Sequence, residues 1–139
     1  MSFIALKGIN DVREPTYAQE GRYPLVIIDA TMHKKEDSDS ESIRCILEVE
    51  SNDPKVKYSN VFHYIALPNG KDESKDQIKM LMAKRFFHQF GIDCDNGVEL
   101  EAFVGSRAEG NLGLDTYEAP GKQPVTRNVL KLNPLPHEA

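Results

Sequence analysis

The pattern of apolar and polar positions predicts three strands in the first half of the chain. Residues 22–32 are rich in β-branched and apolar side chains, which are typical of a strand. Residues 43–50 alternate, which predicts a strand with one buried face. That face consists of Ile43, Cys45, Leu47 and Val49. A turn signal at residues 52–54 separates this strand from a third at 60–68.

A single helix is predicted next, at residues 74–90. Ser74 and Gln77 fit a capping box, and Gly91 can take the left-handed conformation that ends many helices. The predicted buried stripe has helical spacing and consists of Ile78, Leu81, Met82, Phe86 and Phe90. Phe87, beside this stripe, is predicted to be either a partner contact or a rim residue.

Two more strands follow the helix, at residues 98–105 and 126–134, with a long loop at 106–125 between them. The order β, β, β, α, β, β predicts a mainly β protein. The favoured architecture is a five-stranded OB-fold Greek-key barrel with one α-helix between strands 3 and 4. A five-stranded antiparallel sheet packed on one helix is the alternative. Residues 1–20 are predicted to form an irregular leader, 21–134 the domain and 135–139 a short tail.

Composition limits the class of protein. The 139 residues suit one domain, and 40% hydrophobic with 28% charged residues is ordinary for a soluble protein. Two cysteines make no disulfide framework, and no apolar run is long enough for a signal peptide or a membrane span. We therefore expect a cytoplasmic protein. The net charge of -5 argues against a strongly cationic nucleic-acid binder, although cations and carboxylates occur in separate blocks.

Signatures of catalysis and metal binding are missing from the sequence. There is no nucleophile elbow, zinc-protease motif or phosphate loop, so the chain is not predicted to be an enzyme. Cys45, Cys94, His63 and His88 lack the close spacing of zinc ligands. Residues 93–97 do not continue as a calcium loop. We predict no metal and no cofactor.

The third strand raises the main functional question. Phe62 and Tyr64 share a face because they are two residues apart in an extended chain. If they point inward, Val61, Ile65 and Leu67 are exposed; if they point outward, those three are buried with His63. Burying three aliphatic side chains is the better arrangement, so the two rings are predicted to face solvent.

An exposed ring pair beside cations is what nonspecific capture of a nucleic-acid strand requires. An OB-fold uses strands 2 and 3 and the flanking loops for this purpose. For Tyr58 and Tyr117, packing on the rim of the domain is an equal alternative to stacking. The candidate nucleic-acid-binding residues are Lys34, Lys35, Arg44, Lys55, Lys57, Tyr58, Phe62, Tyr64, Arg107, Tyr117, Lys122 and Arg127.

Three segments resemble the small OB-fold single-stranded-DNA-binding proteins of bacteriophages: "GRYPLVIIDA", "FHYIALPNGKDESKDQIKMLMAKRFFHQFGI" and "VELEAFVG". The likeness covers roughly residues 20–133. It implies binding of DNA strands exposed in replication, recombination or repair, in the cytoplasm of an infected bacterial host. Phe62 and Tyr64 on strand 3 and Arg44 on strand 2 would match the family's binding surface. The chain ends in "NPLPHEA", so recruitment of partners through an acidic tail is not expected.

Two functions of different classes are therefore expected. The first is binding of single-stranded DNA with little sequence preference. Replication or recombination proteins are the expected protein partners for this function. The second is a protein-interaction or structural module that uses the same face. The expected oligomeric state is monomer or dimer.

Overall fold

The computed structural model describes residues 2–12, 14–34 and 40–136. These residues form a mainly β fold with one α-helix and two short 3-10 turns, Ile9–Asp11 and Leu100–Ala102. The helix, α1, is Glu73–Phe90. The five strands are β1 (Gly21–Lys34), β2 (Glu41–Val49), β3 (Val61–Ala66), β4 (Arg107–Tyr117) and β5 (Val125–Lys131).

The strands form one antiparallel sheet in the order β3-β2-β1-β4-β5. The long β1 is central and pairs with β2 along one edge and with β4 along the other. A bulge at Ile28 shifts the register between Ile27 and Asp29, which bends the strand. Hydrogen bonds do not close this sheet into a barrel, although the two edge strands, β3 and β5, contact each other.

The alternation predicted for the second strand is confirmed. Ile43, Cys45, Leu47 and Val49 are all buried. Burial, with a smaller contribution from nearby Asp29, raises the pKa of the Cys45 thiol to about 12. This thiol is therefore a small apolar core residue rather than a reactive group.

The helix begins one residue earlier than predicted and uses a different cap. Asp72 is the N-cap, and its carboxylate accepts a hydrogen bond from the backbone N–H of Lys75 at 3.2 Å. The predicted capping box at Ser74 is therefore wrong; a carboxylate caps as well and also interacts favourably with the helix dipole. The predicted end is confirmed, since Gly91 has a φ of 68°.

The predicted apolar stripe of α1 is only partly correct. Ile78 is 60% exposed and Met82 is also exposed, because only the C-terminal half of the helix covers the core. The buried residues are Ala83, Phe86, Phe87 and Phe90. The rim alternative for Phe87 is wrong, because its ring is buried and packs edge-on against Phe103 at a centroid distance of 5.7 Å. The partner-contact alternative stays a prediction.

The region after the helix differs most from the prediction. Residues 98–105 are not a strand; they contain the 3-10 turn and a bend that buries Phe103 completely. The predicted loop at 106–125 is wrong as well, because β4 occupies most of it. Gly110 explains the error, since a Cβ there would lie 2.8 Å from Leu130 Cδ1 and 2.9 Å from Leu25 Cδ1. This glycine permits close packing within a strand rather than a turn.

Segments outside the predicted domain also pack on it. Ala18 is fully buried, and the side chain of Asn128 accepts a bond from its N–H and donates one to its carbonyl, both at 2.8 Å. Thr16 forms a parallel bridge with Tyr58. Leu135, in the predicted tail, is buried too.

His63 links the sheet to the helix. Its ring stacks on Phe86 with a centroid distance of 5.0 Å and an interplanar angle of 3°. Burial lowers the pKa of His63 from 6.5 to about 4. The neutral imidazole is therefore the form that the core accepts.

This burial predicts a loss of stability in mild acid. The unfolded chain binds a proton at His63 below pH 6.5, whereas the folded chain does so only near pH 4. The free energy of unfolding should therefore be fully retained above pH 6.5 and fall by about 3 kcal/mol as the pH approaches 4. Urea denaturation from pH 7 to pH 4 measures this, with His63→Leu as the control that should lose much of the dependence. Parallel pH profiles for the two proteins would contradict the assignment.

Candidate nucleic-acid interface

The two aromatic side chains of β3 lie on the outer face of the sheet. Phe62 is 52% exposed and Tyr64 is 50% exposed, whereas Val61 and Ile65 are buried and His63 is half-buried. The prediction that both rings face solvent is therefore confirmed. They lie on the face opposite to the helix, because His63, between them, stacks on Phe86 of α1.

Strand register places β2 side chains beside these rings. Arg44 pairs with Tyr64, and Ile46 pairs with Phe62. Directly opposed residues of antiparallel strands share a face and contact one another. Arg44, Ile46, Phe62 and Tyr64 together form a surface that we call the platform.

The β1 strand extends this surface by one more strand. Thr31 pairs with Arg44, and Asp29 pairs with Ile46. His33, two residues beyond Thr31, meets Tyr64 across β2, with ring centroids 5.4 Å apart and an interplanar angle of 61°. This edge contact restricts the orientation of the Tyr64 ring and leaves half of the side chain accessible.

Arg44 has an incomplete set of hydrogen bonds. Its Nε is buried and finds no acceptor among the residues that the structure describes. A buried donor without an acceptor costs about 1–3 kcal/mol.

Charge on this face is graded along the strands. Residues paired across neighbouring strands form a row. Arg44 is in the row of Tyr64, and Asp29 is in the row of Phe62. Glu48 is in the next row, opposite Val26. Glu48 is exposed. An anionic ligand is therefore favoured at the Tyr64 end of the platform and opposed at the Glu48 end.

Other predicted cations lie at both ends of the strands. Lys34 is exposed at the end of β1, and Lys55 and Lys57 are exposed in the connection between β2 and β3. These two sites are at opposite ends of the sheet, since Lys34 pairs with Glu41 and Leu25 with Val49. Lys35 lies outside the described residues.

Two predicted arginines are paired with carboxylates on the sheet. Arg107 forms an ion pair with Glu50, and Arg127 with Asp115 at 3.5 Å. A phosphate would have to compete with these partners, so both arginines are weaker candidates than Arg44. Arg107 falls in the predicted loop at 106–125 but lies in β4, whereas Arg127 lies in β5, within the predicted last strand.

The predicted tyrosines divide into two kinds. Tyr58 is half-buried and packs edge-on against Tyr23 at 5.6 Å, which supports the packing alternative rather than the stacking one. Tyr117 is exposed at the end of β4, and Lys122 is exposed in the turn that follows. These two residues share the β4–β5 hairpin and are not part of the platform.

Sequence reasoning missed His33 and Ile46 as members of this surface. Ile46 interrupts the otherwise polar face of β2, and His33 directly precedes two lysines. Those were the available signals. Their meaning depends on the pairing register, which alternation within single strands does not give.

Residues 2–12, 14–34 and 40–136 contain neither a cluster of metal-ligating side chains nor a membrane-spanning helix. No group of three or more His, Cys, Asp or Glu side chains within them could hold a metal ion. In the same ranges, no helix has the length and apolar character needed to cross a membrane.

Comparison with known proteins adds no assignment. The chain matches no protein-family model, and a search of curated proteins found no match to it either.

The contrast between Tyr58 and Tyr64 is testable by stability. Tyr58→Ala should lower the free energy of unfolding by about 2 kcal/mol, because it removes a ring that packs on Tyr23 and the core. Tyr64→Ala should change it by about 0.5 kcal/mol, as expected for a surface substitution. Urea denaturation of both variants measures the difference. Equal losses would contradict the placement of Tyr64 on an exposed face.

Proposed function

We propose that this protein binds single-stranded DNA with little sequence preference, and that the platform is the binding surface. The observation that carries the proposal is the pair of exposed rings, Phe62 and Tyr64, directly beside Arg44. Every base has a flat face, and stacking on an aromatic side chain contributes about 1–3 kcal/mol per base whatever the sequence. A flat apolar surface with an arginine at one end suits that chemistry.

Arg44 supplies the polar part of the proposed contact. Its buried Nε has no acceptor within the described part of the chain. The guanidinium has four further N–H donors, and a charge-assisted bond from one of them to a phosphate is stronger than a neutral one. The chain would thus bind the strand through stacking in the Phe62 row and a polar contact in the Tyr64 row.

The lysines at the two ends of the strands complete the proposed path. Lys34 at one end and Lys55 and Lys57 at the other are exposed and can follow phosphates beyond the platform. Their presence reconciles a net charge of -5 with anion binding, since the field near a surface depends on its local charges.

We also propose that the sheet is an OB-fold barrel, in which β3 and β5 close the barrel through side-chain packing rather than hydrogen bonds. In such a fold β1 pairs with both β2 and β4, and strands 2 and 3 form the binding face. The strand order β3-β2-β1-β4-β5 and the contact between the edge strands β3 and β5 support this architecture. A role in replication, recombination or repair of a phage-type system, in a bacterial cytoplasm and beside other DNA-processing proteins, is proposed on the resemblance of the three segments alone.

A protein-interaction module on the same face is the second candidate. The exposed side chain of Ile28 and the presence of Ile46 on the platform favour it, as does the acidic net charge. Such a module would bind a peptide or subunit and remain indifferent to nucleic acid.

Fluorescence anisotropy separates the two candidates. The probe is a labelled single strand of about 30 nucleotides, long enough for more than one site, compared with its duplex. We expect tighter binding to the single strand than to the duplex. We also expect the affinity to fall as salt rises from about 50 to about 200 mM, because bound phosphates release counterions. Absence of binding to either probe at low salt would reject the proposal and favour the interaction module.

Alanine variants of the platform test the surface directly. Phe62→Ala, Tyr64→Ala and Arg44→Ala should each weaken single-strand binding by about 5- to 100-fold, the range expected for one stacked base or one charged contact. Matched controls are Val104→Ala, an exposed apolar residue elsewhere, and Arg22→Ala, whose arginine pairs with Glu109. Both controls should bind like the wild type. Unchanged affinity in all three platform variants would remove the platform from the binding surface.

Glu48 offers a test in the opposite direction. Glu48→Gln keeps the shape of the side chain and removes a carboxylate from the platform face. It should strengthen single-strand binding by about 2- to 5-fold at low salt, with a smaller effect at high salt because exposed charges are screened. Glu73→Gln, at the start of α1, is the control and should have no effect. Weaker binding by Glu48→Gln would contradict the proposed position of the strand.

A further inference from the structure

Residues 2–12 form an exposed apolar arm. All of them are exposed, and five have large apolar side chains: Phe3, Ile4, Leu6, Ile9 and Val12. Phe3 alone is 93% exposed. Single exposed apolar residues are normal on a protein surface, but a concentration of this kind marks an interaction site.

A groove of about 1020 Å³ lies elsewhere on the molecule, between α1 and residues 92–98. One stripe of the helix forms its first wall, at the spacing expected for a single helical face. The opposite wall is the loop that follows the helix. The large apolar side chains of its lining are Leu67, Met80, Leu81, Phe87, Ile92 and Val98.

The apolar start of the arm is short enough for the groove. Gln77 and His88 are at the two ends of the helical wall, which is therefore roughly 16 Å long at 1.5 Å per residue. Residues 7–8 form a turn, which a bond from the Ile9 N–H to the Leu6 carbonyl closes, so the segment that can be extended ends at Leu6. Phe3 to Leu6 spans roughly 10 Å when extended and fits within the groove. Ile4 and Leu6 share a face in that conformation and can contact the floor of the groove together.

Their charges are complementary as well. Lys7 is the basic residue of the arm, next to its apolar segment. Asp93 and Asp95 lie on the wall opposite the helix and are exposed, while the helical wall carries Lys84. An arm with Ile4 and Leu6 in the groove carries Lys7 toward the rim, where these carboxylates can receive it.

The placement of the arm favours a groove on another molecule. The chain joins the fold at Thr16, which bridges to Tyr58, before the start of β3. The groove begins at Leu67, after the end of β3. In the structure the arm does not fill its own groove, since residues 2–12 are all exposed.

We propose that this protein self-associates by inserting residues 3–7 of one copy into the groove between α1 and residues 92–98 of a second copy. The interface uses the helix side of the molecule and leaves the platform free. The association is therefore independent of nucleic acid. Failure of the proposed DNA binding would not affect it, and its own failure would not affect the proposed DNA binding.

Sedimentation equilibrium of the full chain without nucleic acid tests the proposal. We expect the wild type to have a mass of two or more chains at micromolar concentration. Ile4→Asp/Leu6→Asp in the arm and Met80→Asp in the groove should each weaken association by about 30-fold or more, the effect of losing a buried anchor residue. The matched control is Ile78→Asp, an equally exposed residue of the same helix that does not line the groove. It should associate like the wild type.

Two results would overturn the proposal. One is a wild type that sediments as a single chain at every concentration, which includes the case of an arm docked on its own groove. The other is equal weakening by Met80→Asp and Ile78→Asp, which would point to a different face of the helix. All four substituted positions are exposed, and circular dichroism confirms that the variants remain folded.

Discussion

The register of β3 against its helix is the constraint on which the rest of the structure depends. Side chains alternate along a strand, so a shift of one residue would exchange the two faces. Val61 and Ile65 are buried, and His63 between them stacks on Phe86, which fixes the inner face. Phe62 and Tyr64 are consequently held on the outer face, half exposed. The same packing that builds the core therefore presents the two rings.

Much of this arrangement is readable from the sequence. β2 alternates so regularly that its buried face could be named residue by residue, and the end of the helix at Gly91 follows from the conformational freedom of glycine. The outward direction of Phe62 and Tyr64 follows from the cost of exposing three aliphatic side chains instead. These are local consequences of one-dimensional patterns, and for that reason they were predictable.

The errors have a common physical cause, which is tertiary packing that overrides local pattern. Residues 98–105 alternate like a strand, but Phe103 is buried against Phe87 through a 3-10 turn. β4 contains Gly110 and Gly113 and resembles a loop, yet neighbouring side chains lie within 3 Å of a Cβ at either position. The ion pairs of Arg107 and Arg127 join residues from different segments, so their reduced value as phosphate ligands was invisible before the strands were placed.

The most direct test of the platform uses tyrosine fluorescence. The chain has five tyrosines and no tryptophan, so its intrinsic emission reports on tyrosine alone. Tyr64→Phe removes the fluorophore but keeps a ring for stacking. Saturation with a single strand of DNA should quench the wild-type emission, and Tyr64→Phe should bind with similar affinity but lose most of that quenching. Quenching that is undiminished in Tyr64→Phe would show that the bases stack elsewhere and would contradict the account.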